Sequence, residues 1–209
     1  MLVVLSIYFD IKEAAALATI YFLFNSSVKS HAYRHTIDKE FLAYALLGAL
    51  PALALGLSFF IKAESRTLEI ILACLCFYIV ASQFLHLPRV KHLTTWKIII
   101  GGACWGFITG VINGMPIKVL MLKWRNLEKE WFVGTGAVMS GVMDLIKVIF
   151  YALSGLYLTN NVLIMIPTVF ISLIGTRAGK QCLEKISPNT FQWILTGLML
   201  IGGIKFMIG

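Results

Sequence analysis

Ser140, Asp144 and Lys147 fall inside one apolar stretch, spaced so that a helix would carry them on one face, with Tyr151 a turn further on. A lysine inside a membrane span costs about 2.5–3.5 kcal/mol, so such a residue marks a pathway or has a partner. Asp144 is the expected partner of Lys147, and a carboxylate beside a lysine can take up and release a proton as an anion binds. The two charges can equally offset each other's burial as a structural pair. A second group is Asn113-Gly114-Met115-Pro116 with Lys118. Pro116 lacks an N–H and has a fixed φ, so it breaks one helix and is suited to begin another. The new half-helix would aim its first donors, on Ile117 and Lys118, into the space left by Gly114, while Asn113 and Ser140 add neutral hydrogen bonds. The chemistry this suits is the binding of a small anion.

The elements that must position these residues are apolar helices. The 209 residues are 59% hydrophobic and only 13% charged, with a mean hydropathy of +0.85, which fits a polytopic membrane protein rather than a soluble domain. The net charge of +8 comes from Lys and Arg scattered between apolar segments, as near lipid headgroups, and no tract is dense enough for nucleic acid. Cys74, Cys76, Cys104 and Cys182 lie in or beside apolar segments without metal or redox spacing; they read as small buried side chains, with no disulfide, metal or cofactor. The methionines at 115, 121, 139 and 143 read as core, and His31, His35, His86 and His92 as solvated residues of loops and helix ends. Trp96, Trp124, Trp131 and Tyr157 sit at segment ends, as an interfacial belt requires.

In chain order, MLVVLSIYF is too short to span and reads as the end of a helix whose beginning is missing. Spans are then expected from Asp10, an N-cap with Glu13 at capping-box spacing, to about Tyr33, and over 41–61, 67–87, 96–126, 129–153, 161–174 and 188–208. Within 96–126, Gly102, Gly106, Gly110 and Gly114 recur every four residues as a stripe for a closely packed helix, or for a ligand. Two halves are related. Lys29 and Tyr33 match Lys147 and Tyr151 at one offset, Asn25 falls near the counterpart of Asp144, and RTLEIILAC (66–74) resembles NTFQWILTG (189–197). The expected architecture is therefore all-α: a polytopic transmembrane protein of about seven spans, with a first repeat over 1–88 and a second over 96–209 in one transmembrane domain. A broken helix between two repeats is a secondary-transporter plan. Lys29, near a helix end, can snorkel to the interface, as can Lys205.

GFITGVINGMP (106–116), WFVGTGAVMSGVMDLIKVIFYALSGL (131–156) and LIGTRAGKQCLEKISPNTFQWILTGLMLIGGI (173–204) resemble the sulfite exporter TauE/SafE family of membrane permeases. The Gly-Met-Pro break, the Gly-Thr-Gly around Thr135, the Gly175 and Gly179 pair and Ser187-Pro188 follow the family's order. The first helix of repeat one, with its own Gly-rich turn, is not matched. The resemblance implies a multi-pass protein of the prokaryotic cytoplasmic membrane that exports sulfite or organosulfonates. Asn113, Gly114, Met115, Pro116, Lys118, Thr135, Ser140 and Lys147 are the expected substrate contacts, Asp144 the coupling residue, and Asn25 and Lys29 their repeat counterparts. The expected partners are a small anion and the bilayer, with a second copy of the chain as a further candidate. An accessory subunit and a membrane-embedded enzyme are the alternatives. Counting Lys and Arg by side places the Asp10 end in the cytoplasm by nine to seven, with Lys123, Arg125 and Lys129 among the nine; the loop at 154–161, free of basic residues, suits the outside.

Overall fold

The computed structural model describes residues 5, 8–84, 94–112, 115–125 and 127–156, with isolated positions between 197 and 207. The described elements are all helices: α1 (Ile11–Ala32), α2 (Lys39–Lys62), α3 (Ser65–Phe84), α4 (Thr95–Val111), α5 (Met115–Trp124) and α6 (Lys129–Leu153). Their starts follow from capping chemistry. The Asp10 carboxylate accepts from the Lys12 N–H at 3.0 Å and that of Asp38 from the Phe41 N–H at 3.0 Å, each satisfying a donor the helix cannot. The span expected over 161–174 lies outside the described residues, and of that over 188–208 only helical positions between 197 and 207 fall within them.

The helices interlock in two pairs. In the first, α2 and α4 run parallel: Gly102 lies against the backbone of Ala45, Gly106 against Ala49 and Gly110 against Leu53 and Gly56. A Cβ on Gly106 would come within 2.7 Å of the Ala49 Cα, so only glycine permits this approach. The stripe, as far as Gly110, is thus a packing surface with α2 in place of any ligand. In the second pair, α1 and α6 run antiparallel, Gly134 facing the Tyr33 and Thr36 carbonyls while Gly141 faces Ser26 and Ser30.

The stretch at 96–126, which the sequence leaves free either to cross fully or to turn back at Met115, turns back. Helix α4 stops at Ile112 (φ −143°, ψ −81°), and α5 retraces it, with Met121 beside Gly101. Arg125 then bonds Asp38 at 2.9 Å, at the end of the bundle where α4 began. The pair is a re-entrant hairpin whose tip, Val111 and Ile112, is buried among Ile11, Phe60, Leu68 and Leu72 near the Asp10 end. Lys123, Arg125 and Lys129 consequently sit at the Asp38 end, not the Asp10 end where a straight crossing would put them. So do Trp96, Trp124 and Trp131.

The radial order of polarity suits lipid. Leu47, Leu55, Ile100 and Leu153 are each at least 60% exposed, whereas Thr135, Asp144 and Lys147 are buried. Helices α2 and Glu130–Leu153 of α6 are long and apolar enough to cross a membrane. Cys74 and Cys104 are exposed rather than buried; an outward thiol is at ease against acyl chains. Cys76 and Cys182 carry no described side chain.

Candidate functional site

A cavity of about 270 Å³ lies where α1, α4, α5 and α6 meet. It could hold roughly nine waters at about 30 Å³ each, which is room for a small solvated ion. Each helix supplies it for a local reason. The re-entrant hairpin brings Thr109 from one arm and Lys118 from the other; α6 presents Gly136, Ser140 and Asp144 along one face; and the last turns of α1 add Asn25, Ser26 and Lys29. Trp105, Phe22, Phe132 and Met143 complete the apolar wall.

The polar groups are mutually engaged. The Lys118 ammonium donates to the Ser140 hydroxyl and, at 3.4 Å, to the Gly136 carbonyl. Across the cavity the Ser26 hydroxyl donates to Asp144 Oδ2 at 3.5 Å. Asp144 is the one carboxylate among the cavity's described residues, facing the two cations Lys118 and Lys29. Lys118 is half-buried and tethered, whereas Lys29 is exposed and, in the last turn of α1, sits toward the Asp38 end. The cavity can thus draw a small anion in past one lysine and hold it against another, with hydroxyls to complete its hydrogen bonds.

Of the residues expected at a site, the structure brings together Asn25, Lys29, Lys118, Ser140 and Asp144. Lys147 stands apart. It lies one turn beyond Asp144 on α6, is only 3% exposed and does not line the cavity. Among the described residues no carboxylate oxygen comes within 4.0 Å of it, so Asp144 and Lys147 make no direct contact, though Asp144 is the charge that acts on Lys147 from one turn away. Thr135 is fully buried, and its hydroxyl accepts from the Asp38 backbone N–H at 3.0 Å, so it fixes the start of α2. Asn113 and Gly114 lie outside the described residues, as do the side chains of Met115 and Pro116.

Three contributors carried little signal in the sequence. Thr109 and Trp105 are ordinary residues of an apolar helix until the hairpin turns them inward. Ser26 has one signal: it stands 118 residues before Asp144, the same offset that relates Lys29 to Lys147 and Tyr33 to Tyr151. At the Asp38 end, Arg125 bonds the Asp38 carboxylate at 2.9 Å and approaches Glu40 at 3.6 Å, tying the hairpin's exit to the start of α2.

Comparison with curated proteins and with solved structures gave no match. The profile of one family, described as sulfite exporter TauE/SafE, matches residues 1–206. An all-helical chain with apolar residues outward, charged residues inward and a re-entrant hairpin over a polar cavity is what a membrane transporter requires, and with nearly its whole length matched, this chain belongs to the sulfite exporter TauE/SafE family of membrane transporters.

Proposed function

We infer that the chain is a permease of the cytoplasmic membrane that carries small sulfur oxyanions, sulfite or an organosulfonate, out of the cell. The observation that carries this reading is the Lys118 ammonium bonded to Ser140 inside a small cavity at the re-entrant hairpin. An oxyanion entering there takes over the lysine's hydrogen bonds and accepts from the Ser140 hydroxyl. The first turn of α5, whose N–H groups have no acceptor within the helix, adds to the attraction with the positive end of its dipole. Asn113 and Gly114, at the break that precedes it, belong to the same proposed lining, as do Met115 and Pro116.

Sidedness supports export. With the hairpin folded back, the Asp38 end carries Lys29, Arg34, Lys39, Lys97, Lys123, Arg125 and Lys129, against Lys12, Lys62 and Arg66 at the Asp10 end. Among the described residues, seven against three favours a cytoplasmic Asp38 end, the reverse of the assignment from a straight crossing. The turn at Ser154–Leu156 after α6, which has no basic residue, then lies outside. The cavity rim at Lys29 faces the cytoplasm, where an exporter collects its substrate. Asp144 supplies the coupling: a carboxylate opposite Lys118 is repelled by an incoming anion unless it takes a proton, so proton and anion move together.

Uptake of labelled sulfite, sulfate and a small organosulfonate into proteoliposomes tests this reading, with Lys118→Met and Ser140→Ala alongside. Saturable flux that Lys118→Met removes while elution profile and thermal stability stay unchanged supports it. Flux with an unaltered KM in Lys118→Met would place the anion elsewhere.

A further inference from the structure

Helices α1 and α6 are counterparts. Adding 118 to Ile11, the first residue of α1, gives Lys129, the first of α6; adding it to Asp10, the N-cap, gives Glu128, again the N-cap. Yet the two helices run antiparallel, and Ser26 touches Asp144, its own counterpart. Two equivalent residues meet only on an axis that relates their repeats. That axis passes between α1 and α6 across their length, so it lies in the membrane plane and the repeats are inverted.

The two sides of this axis differ. Lys29 is exposed and lines the cavity; its counterpart Lys147 is 3% exposed and does not. Tyr33 is 37% exposed; its counterpart Tyr151 is 1% exposed, with its ring 5.4 Å from that of Phe60. The open pair lies toward the Asp38 end and the closed pair toward the Asp10 end. At that closed end the hairpin tip, Ile11, Phe60, Leu68 and Leu72 fill the space.

Taking the transporter reading as given, we propose that Lys147 is the second anion-contacting lysine of the path, exchanging its buried state for the open state of Lys29 when the cavity shuts at the Asp38 end and opens at the Asp10 end. Inverted repeats supply the second state at little cost, because each half adopts the conformation its counterpart already holds. The anion is then passed from Lys29 through Lys118 to Lys147. A lysine 3% exposed, beyond the cavity and one turn from Asp144 on the same helix, is placed to serve a path through the bundle rather than its surface.

Single cysteines at 29 and 147, in a parent whose Cys74, Cys76, Cys104 and Cys182 are replaced, test the exchange. The probe is a charged, membrane-impermeant methanethiosulfonate applied from either face of oriented vesicles, with sulfite flux of the parent measured in parallel. Lys29→Cys is expected to label from the Asp38 face, and Lys147→Cys about tenfold faster from the Asp10 face than from the other, because the exposed fraction sets the rate. An outward sulfite gradient should change the two rates in opposite directions. Tyr151→Cys, which keeps both lysines, repeats the measurement should Lys147→Cys fail to fold. Labelling of 147 and 151 from the Asp38 face, or from neither face while the parent transports, overturns the exchange and leaves the permease reading standing. Opposite-face labelling in a parent that moves no sulfur oxyanion keeps the exchange and removes the proposed substrate.

Discussion

The two helix pairs at the heart of the bundle are built on opposite principles. Between α2 and α4 the backbones touch: Gly102, Gly106 and Gly110 meet Ala45, Ala49 and Leu53 in register, with Gly48 and Gly56 answering from α2. Between α1 and α6 a glycine meets backbone at Gly134, against the turn at Tyr33–Thr36, whereas Gly141 meets the side chains of Ser26 and Ser30. Beyond Gly134 the pair opens onto hydroxyls, a carboxylate and a cavity. Lipid tails are as apolar as leucine, so burying apolar surface does not drive helices together in a bilayer. Close van der Waals packing does, and glycine grants it. The first pair therefore holds the scaffold, and the second is free to carry the polar groups that transport uses.

Substitutions should separate the two pairs. Gly106→Leu, driven into the Ala49 backbone, should have the largest effect, about 3 kcal/mol or more in stability, measured as loss of monodisperse protein in detergent. Lys118→Met should leave stability intact and weaken anion binding about 10- to 100-fold, the loss of a charged hydrogen-bond donor at roughly 1.5–3 kcal/mol, measured as KM for flux. Asp144→Asn should keep binding but make flux insensitive to an imposed proton gradient; retained gradient dependence would assign coupling to another residue. Arg125→Ala breaks a partly exposed bond to Asp38 and should cost about 1 kcal/mol or less, read as a small fall in melting temperature. Gly141→Ala should have the smallest effect, because the added Cβ would meet Ser26 Cβ at 3.6 Å and Ser30 Oγ at 3.9 Å, ordinary contact distances. A large loss from Gly141→Ala would erase the contrast between the pairs.

Most of the helices were legible in the sequence because capping and apolar length are local. The spacing predicts α6 over Lys129–Leu153, and it forms there; Asp10 announces α1 and caps it. What could not be read was direction. Pro116 and Gly114 mark a break, but whether a chain continues or reverses depends on what receives it, here Asp38, 87 residues before Arg125. That one reversal moved three basic residues across the bundle, which is why the proposed sidedness is opposite to the expected one. The cavity was half legible: Ser140 and Asp144 share a helix face, a local property, whereas Thr109 and Ser26 join them only through tertiary packing. The i, i+3 spacing of Asp144 and Lys147 indicated that the two charges act on each other, as they do, but not that a hydroxyl from α1 would also reach the carboxylate.

The bond from Ser26 to Asp144 also bears on how such a protein could arise. If the two halves descend from one gene, their ancestor assembled as two identical chains, and a residue on the axis faced a copy of itself. Two aspartates there would have had to share one proton, and two serines would have offered hydrogen bonds but no group that titrates. A neutral hydroxyl facing a carboxylate requires the two halves to differ at this position, so the axis of the present chain carries one titrating group where an identical pair would carry two or none.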